Sequence, residues 1–335
     1  MTVVGCGQIE KYPYKISDFR PELKIHIQNI IAEKQLSYHP DTLALSFLKC
    51  NCTKEELLKL LRFENPLVRV RAYRTLIYRN EPNFFPTLLN HLDDTTKVTW
   101  WYYDDAVGSF MVSDLMIRKV IESKKLSQDE KQILVDSVLS KHSYLETSDM
   151  MIRNTGPNEK YYALIKQRAK LKTNRCGEQS GACYALSKFK KKEDIELLKN
   201  AFNDSDEICI SWTFKAIENF PDISFFPILE NYYQNKIVNK LGPDKNIDDD
   251  VLYFCRAVAA FKNQESLKIL EYIELNDTYI NTPYWPPYNK RYVFKAINKF
   301  NSPIYSKLKN KFKSTLGKDE IKTILAPGYN EEENW

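Results

Sequence analysis

An all-α chain, wound as an α-α superhelix of roughly seven to eight stacked helix pairs, is the fold predicted by this 335-residue sequence. Three observations predict it: scarce glycine, a short motif returning at near-regular spacing, and helix-start signals ahead of apolar stripes. Glycine numbers only 9, against 21 tyrosines and 17 phenylalanines, so positive-φ turns and tight hairpins have few places to form. Hydrophobic residues at 43% supply a core, and charged residues at 28% supply a polar exterior.

The motif is Ala, aliphatic, two variable residues, Phe. It occurs as AVGSF (106–110), ALSKF (185–189), AIENF (216–220), AVAAF (257–261) and AINKF (296–300), its alanines 79, 31, 41 and 39 residues apart. The longest gap is close to two periods with a degenerate copy between. Helix-pair repeats show a period near forty. Tyr102, Trp212, Tyr253 and Tyr292 stand four residues before four of the alanines. Positions −4, 0, +1 and +4 share one helical stripe, which is read as the buried face.

In chain order, residues 1–52 are expected as an N-terminal segment with capping helices. TKEE (53–56) is a capping box, and Asn65-Pro66 places a capping residue before a proline at the first helical position. NFFPTLLNHL (83–92) carries an apolar stripe at helical spacing. Residues 99–110, TWWYYDDAVGSF, are read as the next motif helix. SQDE (127–130) is a second capping box. EDIELLKNAF (193–202), ISFFPILENYY (223–233), ESLKILEYIEL (265–275) and PIYSKLKNKF (303–312) alternate with the motif helices as their partners. Residues 316–335 are left as a C-terminal cap with an acidic tail.

ENPLVRVRAYRTL (64–76) resembles the HEAT-repeat signature, through Pro66, Val68, Arg69, Ala72 and Leu76. Later copies keep the alanine and aliphatic residue without the Val-Arg pair. The resemblance spans residues 40 to 315 approximately, with 53–315 as the repeats proper. It implies an armadillo-like α-solenoid whose second helices line a concave surface, so chain length alone does not force a domain division.

Positions −5, −1 and +3 should face away from the buried stripe. The last three copies place Lys215, Arg256 and Lys295 at −1, with Arg291 and Lys299 at −5 and +3 of the final one. Such a basic ladder suits a protein partner with an acidic segment or a phosphate backbone, although lysine and arginine also serve as ordinary solvated helix residues. By the same register Trp101 and Asp105 share the exposed face at i, i+4. Trp100-Trp101-Tyr102-Tyr103-Asp104-Asp105 is similar to the W-W-x-x-x-D sequence of HEAT-like alkylpurine DNA glycosylases. That resemblance implies that Trp101 presses on a nucleotide and Asp105 stabilises a cationic sugar. Arg153 is the nearest candidate for that family's concave arginine, and no later tryptophan matches its second. Finally, DTYINTPYWPPYNKR (277–291) offers Tyr284, Trp285 and Tyr288 as an aromatic loop stiffened by prolines.

Several classes are disfavoured. Four scattered histidines give no zinc or di-iron spacing, phosphate-cradling glycine loops are missing, and Ser180 in GEQSG is misplaced for a nucleophile elbow. A non-catalytic protein-interaction scaffold is therefore expected, without metal or cofactor and with no catalytic residue. Nucleic-acid binding, with base excision as its strong form, is the alternative. The net charge of +5 permits either. No run has the length of a transmembrane helix, and seven cysteines without C-x-x-C spacing suggest reduced thiols in the cytoplasm. Val3-Val4-Gly5-Cys6 resembles a lipobox, so a lipoprotein anchored through Cys6 is the alternative if translation starts upstream.

Overall fold

A computed structural model describes residues 11–37, 42–101, 107–172, 178–203, 209–239, 250–276, 289–300 and 302–326. The chain divides into two compact units, Met1–Ser148 and Asp149–Asn334. Among the described residues there are eighteen α-helices and one two-stranded antiparallel hairpin. None of these helices is long and apolar enough to cross a membrane.

The first unit contains α1 (Pro21–Ala32), α2 (Thr42–Asn51), α3 (Lys54–Leu60), α4 (Pro66–Tyr78), α5 (Phe84–Leu89), β1 (Lys97–Trp101), β2 (Val107–Met111), α6 (Val112–Glu122) and α7 (Gln128–Lys141). In α1, Leu23, Ile27 and Ile30 recur on one buried face. Both capping boxes form: the Thr53 and Ser127 hydroxyls accept from the amides of Glu56 and Glu130, whose carboxylates accept in return from the cap amides. Asn65 Oδ1 accepts from the Leu67 amide at 2.9 Å, with Pro66 beginning α4. Helix α4 is the hub of this unit, packing on α1, α2, α3, α5 and α6.

Buried polar groups tie the layers together. Arg69 donates to both carboxylate oxygens of Asp94, at 2.8 and 3.2 Å, and to the carbonyls of Phe63 and Glu64, with the Tyr12 ring 3.8 Å from the guanidinium carbon. Asp114, also buried, accepts from the Thr147 amide and hydroxyl at 2.9 and 2.8 Å. Each buried carboxylate thus meets donors, as burial of charge requires.

The stretch read as a motif helix at 99–110 is instead a hairpin. Trp100 pairs with Gly108 and Trp101 with Val107 across the strands, while Tyr102 to Ala106 lie outside the described residues. The Leu36 segment adds a third backbone: its amide donates to the Thr99 carbonyl and its carbonyl accepts from the Trp101 amide, both at 2.8 Å. Val98, Thr99, Trp100 and Trp101 are strand formers, and alternation buries Val98 while Trp101 stays 38% exposed.

After α8 (Thr147–Asn154), within which the unit boundary falls, come α9 (Glu159–Lys170), α10 (Gln179–Ser187), α11 (Ile195–Asn203), α12 (Ile210–Asn219), α13 (Phe226–Tyr232), α14 (Asp250–Ala260), α15 (Gln264–Leu275), α16 (Asn289–Lys299), α17 (Ser306–Thr315) and α18 (Lys318–Leu325). The motif helices are α10, α12, α14 and α16, and each packs on the next in chain order. Ala185, Ala216, Ala257 and Ala296 are buried at these contacts, where a methyl group lets the backbones approach. The buried face is rotated from the expected stripe. It centres on −3, −2, 0 and +1, with Phe214, Phe254 and Phe294 as its bulk, and Phe214 meets Phe254 edge-on at 5.4 Å.

Candidate functional site: an aromatic–cation ladder

That rotation has a consequence for the site. The aromatics at −4, expected in the core, are half-buried at its margin: Trp212 on α12, Tyr253 on α14 and Tyr292 on α16. They share that margin with the residues at −1, because three residues span nearly one turn. Rings and cations alternate as a result. Lys215 Nζ lies 4.2 Å from the Trp212 ring centroid and 4.6 Å from that of Tyr253, bridging α12 and α14. Toward α10, Trp212 packs on Tyr184 at 5.3 Å, Lys188 Nζ lies 4.4 Å from the Tyr184 ring, and the Arg153 guanidinium covers Trp212 at 5.1 Å. Gly181 at −4 makes room for Arg153: a Cβ there would come within 2.8 Å of Arg153 Cδ.

At the α16 end the ladder is occupied by its own chain. Arg291 donates to Glu320 of α18 at 2.7 Å, and Lys295 Nζ donates to the Ala326 carbonyl at 2.7 Å. Helix α18 buries none of its residues, so these polar contacts and the half-buried Ile321 and Ile324 hold it. Lys299 pairs at 2.5 Å with Glu218, a carboxylate only 8% exposed on α12.

Of the residues singled out in the sequence, Lys215, Arg291, Lys295 and Lys299 stand on this surface. Arg256 does not: at 9% exposure it is buried within α14 rather than displayed. Trp101 belongs to the hairpin of the other unit, at the end of β1 and not on the expected helix. Asp105, Tyr284, Trp285 and Tyr288 lie outside the described residues. Sequence reading missed Lys188 and Trp212 as surface groups; the signal was the three-residue offset between −4 and −1, nearly one full turn.

A separate open cavity of about 440 Å³ lies between α11 and α13, lined by Lys199, Phe202, Ile210, Asn231, Tyr232 and Asn235 among others. It shares no residue with the ladder. The ladder sets positive charge against flat apolar rings, the combination that suits anionic or π-rich groups. Neither a family model nor a curated protein matches the chain.

Proposed function

We propose that the chain is a non-catalytic, HEAT-like helical-repeat scaffold whose aromatic–cation ladder takes up an acidic segment of a protein partner. The successive packing of α10, α12, α14 and α16 supports the repeat architecture. One observation carries the binding reading: the last rungs already hold a carboxylate and a helix C-terminal carbonyl, through Arg291–Glu320 and Lys295–Ala326. An acidic helix in trans would present the same groups.

The test is fluorescence anisotropy of a labelled acidic helical peptide against the intact chain. Binding is expected, tighter when Glu320→Lys releases α18, and at least about tenfold weaker in Trp212→Ala with Lys215→Ala, a loss of about 1.4 kcal/mol. No binding to either the intact chain or the Glu320→Lys variant sinks the reading. The interleaving of Trp212, Lys215 and Tyr253 also fits a stacking platform for single-stranded nucleic acid, the second reading. Preference for an oligonucleotide, with affinity falling steeply with salt, would select it.

A further inference from the structure

The cavity between α11 and α13, about 440 Å³, falls in the range of roughly 300–1,000 Å³ common to small-molecule sites. Its apolar walls belong to the core. Phe202 on α11 is buried and meets Phe225 edge-on at 5.3 Å. Tyr232, at the end of α13, packs on the rings of Phe214 at 4.8 Å and Phe254 at 5.2 Å. Rings held this way are already ordered, so an occupant gains flat contact area at small entropic cost.

Polar groups reach the same cavity from both walls. Helix α11 contributes Lys199, and α13 contributes Asn231. Beyond Tyr232 the chain continues as a π-helix, Tyr233–Val238, which brings Asn235 and Lys236 to the lining. Single turns of π-helix are rare and concentrate at functional sites. Asn235 Nδ2 donates to Asn231 Oδ1 at 2.7 Å, which leaves Asn231 its own Nδ2 as a donor. The two lysine ammonium groups donate and accept nothing. The lining thus sets N–H donors beside aromatic rings. An ionised carboxylate, which only accepts, carried on a flat apolar body is the complement of that set.

We propose that this cavity binds a small aromatic carboxylate, its ring against Phe202 and Tyr232 and its carboxylate toward Lys199, Asn231 and Lys236. The probe is indole-3-acetate, titrated calorimetrically into the intact chain, with indole-3-acetamide as the control for charge and acetate as the control for the ring. Saturable binding of indole-3-acetate is expected, about tenfold or more tighter than that of the amide, with no saturable heat from acetate. Lys199→Gln and Asn231→Leu change side chains that are half-buried and exposed, respectively. Each should weaken binding about tenfold while leaving the ligand-free melting temperature nearly unchanged. Trp212→Ala with Lys215→Ala should bind the probe as the native chain does, which separates this site from the ladder. Absence of saturable heat from indole-3-acetate overturns the proposal. So does equal affinity for the amide, affinity unchanged in both cavity variants, or loss of binding in the ladder variant.

Discussion

Arg69 and Asp94 show what a single buried pair contributes to this fold. Both side chains are fully buried, and Arg69 spends its remaining donors on the carbonyls of Phe63 and Glu64 that lead into α4. Removing one partner leaves the other charged and desolvated, so Asp94→Ala is expected to cost about 3–5 kcal/mol in a denaturant titration. The pair also sets an acid limit. Burial works against ionisation of Asp94, but the hydrogen bond and charge of Arg69, with bonds from Tyr12 and Thr96, hold its carboxyl below the usual carboxylate range. A depressed folded pKa gives stability that is complete above the unfolded value, about 3.9, and lost as pH falls through the folded one. Melting temperature should therefore fall more steeply below about pH 4 in the native chain than in Asp94→Asn, which has no such proton to take up. Equal slopes would remove Asp94 as the source. The sequence marked Arg69 only through its resemblance to the HEAT signature, with nothing to say that it is buried. Asp94 and Tyr12 were not marked, since nothing periodic points to residues 25 and 57 positions away as its partners.

Elements divide according to whether their signal was local. Capping boxes at Thr53 and Ser127, and the Asn65-Pro66 start of α4, lie within four residues and were readable without tertiary information. The hairpin was misread because Ala106 and Phe110 matched the repeat motif, while the strand-forming preference of Val98 to Trp101 carried the structure; Leu36, far upstream, supplies the bonds that extend the pairing. In the second unit the motif marked the right helices but placed the wrong edge inward, because a one-residue shift of register rotates a helix face by 100°. Gly181 tests that corrected register. Alanine at this helical position would ordinarily stabilise by up to about 1 kcal/mol. Its methyl would instead meet Arg153 Cδ and Cγ at 2.8 and 2.9 Å, atoms in the middle of the side chain. Gly181→Ala is expected to forfeit that gain and to displace Arg153 from Trp212, shifting tryptophan emission in the native background but not in Trp212→Phe. An unchanged spectrum with a full stability gain would mean that the Arg153–Trp212 contact is not held in solution.

Across the molecule, the cysteines divide by burial and by bonding. Cys50, Cys52, Cys183 and Cys255 are free, and burial pushes the Cys183 thiol up to about 12 and the fully buried Cys255 thiol higher still, so neither is a nucleophile at neutral pH. Cys209, by contrast, is disulfide-bonded, which corrects the expectation of reduced thiols throughout. A structural disulfide persists in an oxidising compartment and is reduced in the cytoplasm, so the redox state of Cys209 in the isolated protein is worth measuring. Spacing failed because pairing depends on Cα separation in the folded chain, which no C-x-x-C rule captures here. Thiol labelling of the urea-denatured chain decides the point. Purified under non-reducing conditions, it should take up two fewer alkyl groups than after reduction, and the native chain should leave Cys183 and Cys255 unlabelled. Equal uptake before and after reduction would remove Cys209 as a covalent tie. The bond's presence would add a covalent tie whose reduction should lower stability by about 2–4 kcal/mol, leaving the buried thiols of α10 and α14 as simple packing groups.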